Sequence, residues 1–161
     1  MKKIKTIHVL MMMALSALLL VGCGSGNPAP RGATITLTKS ALTFKGLGTC
    51  PPASPVWSYD LITITVLGSN SSPIAGVDVT YAAGFSIETT GTPPLDLQRV
   101  YNVPPAGSPS PGGRLPGTGV IKTDDGGKIQ LILGTNIDCP HTVDFTVQSG
   151  SSSAKATITV S

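Results

Sequence analysis

The stretch Leu61-Ile62-Thr63-Ile64-Thr65-Val66-Leu67 and its continuation to Tyr81 decide the fold class. The chain runs on through Gly68-Ser69-Asn70-Ser71-Ser72-Pro73-Ile74-Ala75-Gly76 into Val77-Asp78-Val79-Thr80-Tyr81. β-Branched residues alternate with others on both sides of a segment of turn formers. Such period-two alternation gives a strand one buried and one wet face. The pattern recurs outward: Thr34 to Thr38 continued by Ala41 to Phe44, Val120 to Thr123, Lys128 to Leu133, Val143 to Gln148 and Ala154 to Val160. No window of helical length interrupts it after Cys23. Strands this short bury their apolar faces only against a second sheet. The expectation is a seven-stranded antiparallel β-sandwich over residues 34–161.

Composition agrees with one β domain. The chain has 161 residues, of which 12% are charged, with 19 Gly and 14 Pro. The formal charge of +3 comes from Lys2, Lys3 and Lys5; the remaining eight basic residues cancel the eight acidic ones. A neutral chain without a basic patch gives no electrostatic case for nucleic acid.

The N-terminus reads as an address. Lys2, Lys3 and Lys5 precede an apolar run from Val9 to Val21, too short to span a bilayer and of the proportions of a secretory signal. The run ends in Leu20-Val21-Gly22-Cys23, which resembles the lipobox of bacterial lipoproteins. The resemblance implies cleavage before Cys23, diacylglycerol on its sulfur and an acyl chain on its new amine. Residues 1–22 are then a signal peptide, and membrane lipid is a partner through Cys23. Two or more acyl chains anchor stably. Gly24 at the position after the cysteine implies the outer membrane. Residues 23–33, rich in Gly, Ser and Pro, read as a flexible lipidated tether.

Setting Cys23 aside leaves Cys50 and Cys139. Two cysteines in an exported chain most simply form one disulfide, worth about 4–5 kcal/mol in the chain-entropy model for a loop of this length. Metal ligation by this pair would have only His141 to assist, with no Cys-x-x-Cys spacing.

The strand, Pro-containing turn, Gly and strand of residues 61–81 resemble bacterial immunoglobulin-like domains of the invasin/intimin (Big) kind. Thr123-Asp124-Asp125-Gly126-Gly127-Lys128-Ile129 resembles the turn before that family's fifth strand, and Ser151 to Val160 its last strand. The resemblance implies an immunoglobulin-like sandwich and carries no catalytic residue. Residues 91–118 depart from it as a Pro/Gly-rich insertion, and the Cys50/Cys139 pair is not a hallmark of it.

Alternating strand direction puts Cys50, Cys139 and the insertion at one pole, away from the tether. The same pole receives Trp57 and Tyr59. Trp57 either plugs the core or serves as an anchor for a partner. Leu95, Leu97 and Tyr101 in the insertion either dock on a partner or cover a sheet edge. These five are the candidate partner-binding residues, for a protein or a surface polymer. Chemistry is poorly represented. His141 could serve a Ser/His/Asp device only with Asp138 or Asp144, and no nucleophile elbow is present. Asp124-Asp125 reads as a turn rather than a calcium loop. The expectation is therefore a lipid-anchored, non-enzymatic cell-envelope module without cofactor or metal, binding or adhesive in role. The alternatives are a structural subunit of an envelope assembly using edge strands and, remotely, a small hydrolase.

Overall fold

The computed structural model describes residues 26–48, 55–84, 96–104 and 111–161. The signal segment, Cys23, Cys50, Phe85 to Glu88 and Leu95 lie outside them. The described residues form ten strands and no helix. These are β1 (Thr34–Leu37), β2 (Ala41–Phe44), β3 (Trp57–Leu67), β4 (Asp78–Ala82) and β5 (Gln98–Asn102), then β6 (Arg114–Leu115), β7 (Thr118–Lys122), β8 (Lys128–Asn136), β9 (His141–Ser149) and β10 (Ser152–Val160). One sheet has the order β1-β3-β8-β5-β6 and the other β2-β10-β9-β4-β7. All pairings are antiparallel except β2 with β10. The fold is an immunoglobulin-like, two-layer β-sandwich.

Seven expected strands become ten for two reasons. The run from Thr34 to Phe44 splits at Thr38-Lys39-Ser40, so β1 edges one sheet and β2 the other. Lys39 pairs with Asp60 at 2.6 Å beside this crossing. The insertion contributes β5 and β6 to the first sheet. Its chain then crosses through Pro116-Gly117 into β7 of the second. Tyr81 Oη donates to Pro116 O at 3.0 Å, and Ala83 N–H to Gly117 O at 2.7 Å, fixing that crossing. Both flanks of the sandwich are thus closed by chain passing between layers, and the edge strands are short.

The core lies where the alternation places it. Ile62, Ile64 and Val66 of β3 face Val79 and Tyr81 of β4 and Phe145 and Val147 of β9, all within one buried cluster. Each such side chain contributes roughly 1.5–3 kcal/mol by leaving water. Phe145 is fully buried and stacks on Tyr81 at 6.3 Å. The core plug is therefore Phe145, and Trp57 is only half-buried on an outer face.

The turns obey their residues. Asp124 Oδ1 accepts from the amides of Gly126 and Lys128, closing the turn before β8. Gly127 has φ +68°, and a Cβ there would meet Val66 O at 2.8 Å. Only glycine fits that approach.

The strands define two poles. The base holds the start of β1, the β3–β4 and β7–β8 turns and the β9–β10 hairpin; the head holds the start of β3 and the ends of β8 and β10. At the head, Leu47 N–H donates to Ile137 O (2.8 Å), Ile137 N–H to Val56 O (3.0 Å) and Val56 N–H to Asp138 Oδ2 (2.7 Å). The chain on either side of Cys50 therefore meets the segment leading to Cys139. The insertion does not all stay at this pole. β5 runs from the head toward the base, and Asn102 N–H bonds Gly113 O at 3.0 Å where the chain folds back into β6. This corrects the expected head loop: its first apolar half is a sheet strand.

A second correction concerns the tether. From Asn27 onward the segment expected to be flexible is docked on the base. Asn27 N–H donates to Asp78 Oδ2 at 2.6 Å, and Asp78 N–H returns to Asn27 O at 2.7 Å. Asn27 Nδ2 reaches Gly76 O at 3.1 Å. Ala29 is buried, and its N–H donates to Ser149 Oγ at 2.8 Å. A composition of Gly, Pro and Ser signals absence of a core, and the acceptors supplied by β4 and β9 override it.

Candidate functional site

Strand β3 carries two faces. Its even residues from Ile62 to Val66 enter the core, so Trp57, Tyr59 and Leu61 stand on the outer face near the head. Tyr59 and Leu61 are each 45% exposed, although both are large and apolar. Register continues this surface across the sheet. Tyr59 lies opposite Gly134 and Gly134 opposite Arg99; Leu61 lies opposite Ile132 and Ile132 opposite Tyr101. Three strands far apart in sequence thus present one platform.

Gly134 is the low point of that surface. A Cβ on it would come within 2.9 Å of Tyr59 Cε1 and 3.2 Å of Tyr101 Cε2. The two rings therefore rest over bare backbone, meeting edge to face with centroids 5.7 Å apart and planes at 74°. Burial and the neighbouring Tyr101 phenol push the Tyr59 hydroxyl above its ordinary value, with Arg99 opposing. The Tyr59 phenol therefore stays neutral at physiological pH.

Arg99 closes the head side. Its guanidinium lies 3.9 Å from the Trp57 ring centroid, a cation–π contact. Its Nε and Nη2 donate to Asp96 Oδ2 at 3.2 Å, and Arg114 Nη2 reaches the same oxygen at 2.9 Å. One carboxylate thus holds two arginines and leaves one net positive charge beside the aromatic surface. These exposed pairs add little to stability and serve to orient Arg99.

Of the five candidate residues, Trp57, Tyr59 and Tyr101 meet on this platform. Leu97, just before β5, shares the phase of Arg99 and Tyr101 but is 3% exposed and offers little surface to a partner. Leu95 lies outside the described residues. Leu61, Ile132, Arg99 and Gly134 complete the surface and were not among the candidates. Leu61 could have been found from parity alone, since it alternates out of phase with Ile62 and Ile64. Gly134 and Arg99 needed the register.

Other side chains considered for chemistry have structural duties. His141 Nδ1 lies 2.7 Å from Cys139 O, which can only accept, so Nδ1 carries the proton. Its Nε2 lies 3.3 Å from Thr135 Oγ1. Asp144 accepts from Thr157 Oγ1 at 2.8 Å and from Lys155 Nζ at 3.0 Å, which lowers its carboxyl below the usual range. Cys139 is 2% exposed and is not free. Behind β5, Gln98 Oε1 accepts from Gly84 N–H at 2.7 Å, while its buried Nε2 has no partner. Among the described residues no three His, Cys, Asp or Glu side chains gather in a way that could hold a metal.

No protein-family model matches the chain, and no curated protein does. Several solved structures are similar to the chain at low identity. An MSP family member of C. elegans, WR4, is 10% identical with a TM-score of 0.43, covering 79% of this chain and 97% of its own. The D00-D0 domain of intimin is 14% identical with a TM-score of 0.41. That match covers 87% of this chain, which spans half of the intimin chain. A conjugative transposon lipoprotein from Bacteroides eggerthii is 10% identical with a TM-score of 0.42, covering 81% and 98% of the two chains.

Proposed function

We propose that this chain is a lipid-anchored, non-enzymatic module of the bacterial cell envelope, held at the outer membrane through Cys23, which binds a partner protein with the outer face of its β3-β8-β5 strands. The observation that carries the binding role is where apolar surface is exposed. Leu47, Val56, Tyr59 and Leu61, four of the six large exposed apolar side chains among the described residues, lie in the head half of the sandwich. The base loops are polar. A chain attached at its base would present that apolar head outward.

The platform favours a protein over a sugar polymer. Stacking on a sugar ring wants an open aromatic face, and Arg99 occupies the Trp57 ring. The tyrosines meet edge to face, so they offer no shared plane. Trp, Tyr and Arg around an aliphatic centre form the composition of an interface hot spot. Short edges closed by chain crossings leave little backbone for strand addition, which weighs against assembly through edges. The tie of His141 to Cys139 O and Thr135 weighs against the hydrolase.

The same reading includes a Cys50–Cys139 disulfide. What supports it is the trio of hydrogen bonds bringing residues 47 and 56 onto the 137–138 segment. A photo-crosslinking side chain at residue 59 tests the binding role in the native envelope. The expected result is a discrete protein adduct from residue 59 and none from residue 146 on the opposite sheet. Equal or absent adducts would refute it. Mass measurement of the mature chain tests the lipid on Cys23.

A further inference from the structure

The docked leader determines how the domain stands on its membrane. We infer that the base of the sandwich is a surface that rests on the phospholipid headgroup layer, with the head held away from it. The inference builds on the lipid-anchor reading and goes beyond it. An anchor alone leaves orientation free, and a spacer through residue 33 would let the domain swing. Here, among the described residues, the chain is already docked at Asn27, four residues from Cys23. Extended chain covers at most about 14 Å in that distance.

Several contacts hold the leader. Asn27 and Asp78 exchange two hydrogen bonds, at 2.6 and 2.7 Å. Gly26 passes so near that a Cβ on it would meet Asp78 Oδ2 at 2.9 Å. Ser149 Oγ accepts from Ala29 N–H and donates to Asp78 O, joining leader, β9 and β4 at one atom. Ser152 Oγ donates to Ala33 O. Gly150 sits at φ +57°, and a Cβ there would strike Ala29 O at 2.5 Å. The β9–β10 hairpin is therefore shaped to receive the leader.

The base suits headgroups. Its loops present Arg31, Asn70, Ser72, Asp124, Asp125 and Ser151, all exposed. Charges of both signs and many hydroxyls can hydrogen-bond phosphate and glycerol. None of these side chains is a large apolar group that would insert. Tyr59 lies eight residues up β3 from Leu67, so the platform stands about 26 Å above the base.

The experiment uses the full lipidated chain in phosphatidylethanolamine/phosphatidylglycerol vesicles carrying a headgroup nitroxide. A fluorophore is placed on Asp125→Cys at the base or on Thr142→Cys at the head. Quenching of the base probe should exceed that of the head probe several-fold. Inserting ten Gly/Ser residues between Ser25 and Gly26 should abolish the difference, and Ser149→Ala should reduce it. Equal quenching of the two probes on vesicle-bound chain would overturn the inference and leave the anchor standing. A chain that carries no lipid on Cys23 and stays off vesicles would overturn both. Amide exchange at Asn27 and Ala29 reports separately whether Ser149→Ala has freed the leader.

Discussion

Gly134→Ala should damage the platform while leaving the fold nearly as stable as before. No positive φ is recorded at Gly134, so alanine's backbone preference is satisfied. Alanine in a strand recovers about 0.5–1 kcal/mol lost to glycine's freedom in the unfolded chain. Against this, the new methyl would sit 2.9 Å from Tyr59 Cε1 and must lift the ring. Losing the edge-to-face pair costs about 0.5–1.5 kcal/mol. The two nearly cancel, so the net change lies within about 1 kcal/mol, a shift of a few degrees in Tm for a domain this size. Urea unfolding measures that side. Spectrophotometric titration of the three tyrosines measures the other. Tyr59 owes its raised pKa first to burial and then to Tyr101. A lifted ring is more solvated, so one phenol should titrate nearer the ordinary value of about 10. Capture of a partner through residue 59 should fall with it. An alanine variant with an unchanged phenol titration would refute the idea that the rings rest on bare backbone. So would a loss of stability well above the expected range.

Three further outcomes can be measured. Phe145→Ala should cost about 3–5 kcal/mol in urea unfolding, because the ring is fully buried against Tyr81 and leaves a cavity between the sheets. Cys139→Ser, or reduction of the unmodified chain, should remove about 4–5 kcal/mol if loop entropy dominates; a midpoint insensitive to both would show that no bridge closes the head. Acid should loosen the leader. Asp78 has its carboxyl lowered by the hydrogen bond from Lys122 and then by the Asn27 amide. A lowered folded pKa means the contribution is complete above the ordinary carboxylate value of about 4 and is lost as pH falls through the folded value. Protection of the Asn27 and Ala29 amides, relative to their intrinsic exchange rates, should therefore fall below about pH 4 ahead of protection in the core strands, and Asp78→Asn should remove that pH dependence.

The sandwich was legible because its strands alternate strictly where they face the core. Ile62, Ile64 and Val66 are spaced two apart, and so are Ile129, Leu131 and Leu133. The burial pattern repeats that spacing residue for residue. The insertion was less legible. Gln98 to Asn102 reads as a short, mixed segment among prolines, yet Val100 is fully buried and the strand pairs along β8. Five residues carry too few alternations to announce a strand, and the partner that makes them one lies about thirty residues away. The crossing at Lys39 is marked by a change of phase: the inward residues are Ile35 and Leu37 before it and Leu42 and Phe44 after it, and the geometry of two layers turns that shift into a change of sheet.

The platform shows the same limit at finer scale. Its aromatic members were visible as large side chains near one pole, but exposure is a property of phase. Trp57 belongs to the outer face because odd residues of β3 point away from Ile62, a conclusion that requires β3 to begin before residue 61. Leu97 shows the limit of phase: it shares that of Arg99 and Tyr101, yet just before β5 it is only 3% exposed. Gly134 is the most informative case. In sequence it is a glycine ending an apolar run, which suggests a strand terminus or bulge. In the sheet it is continuous strand, flanked by Tyr59 and Arg99, and its missing side chain is the space the two phenol rings occupy. A composition reading counts Gly134 as an absence, whereas the register makes it the position on which the shape of the exposed surface depends.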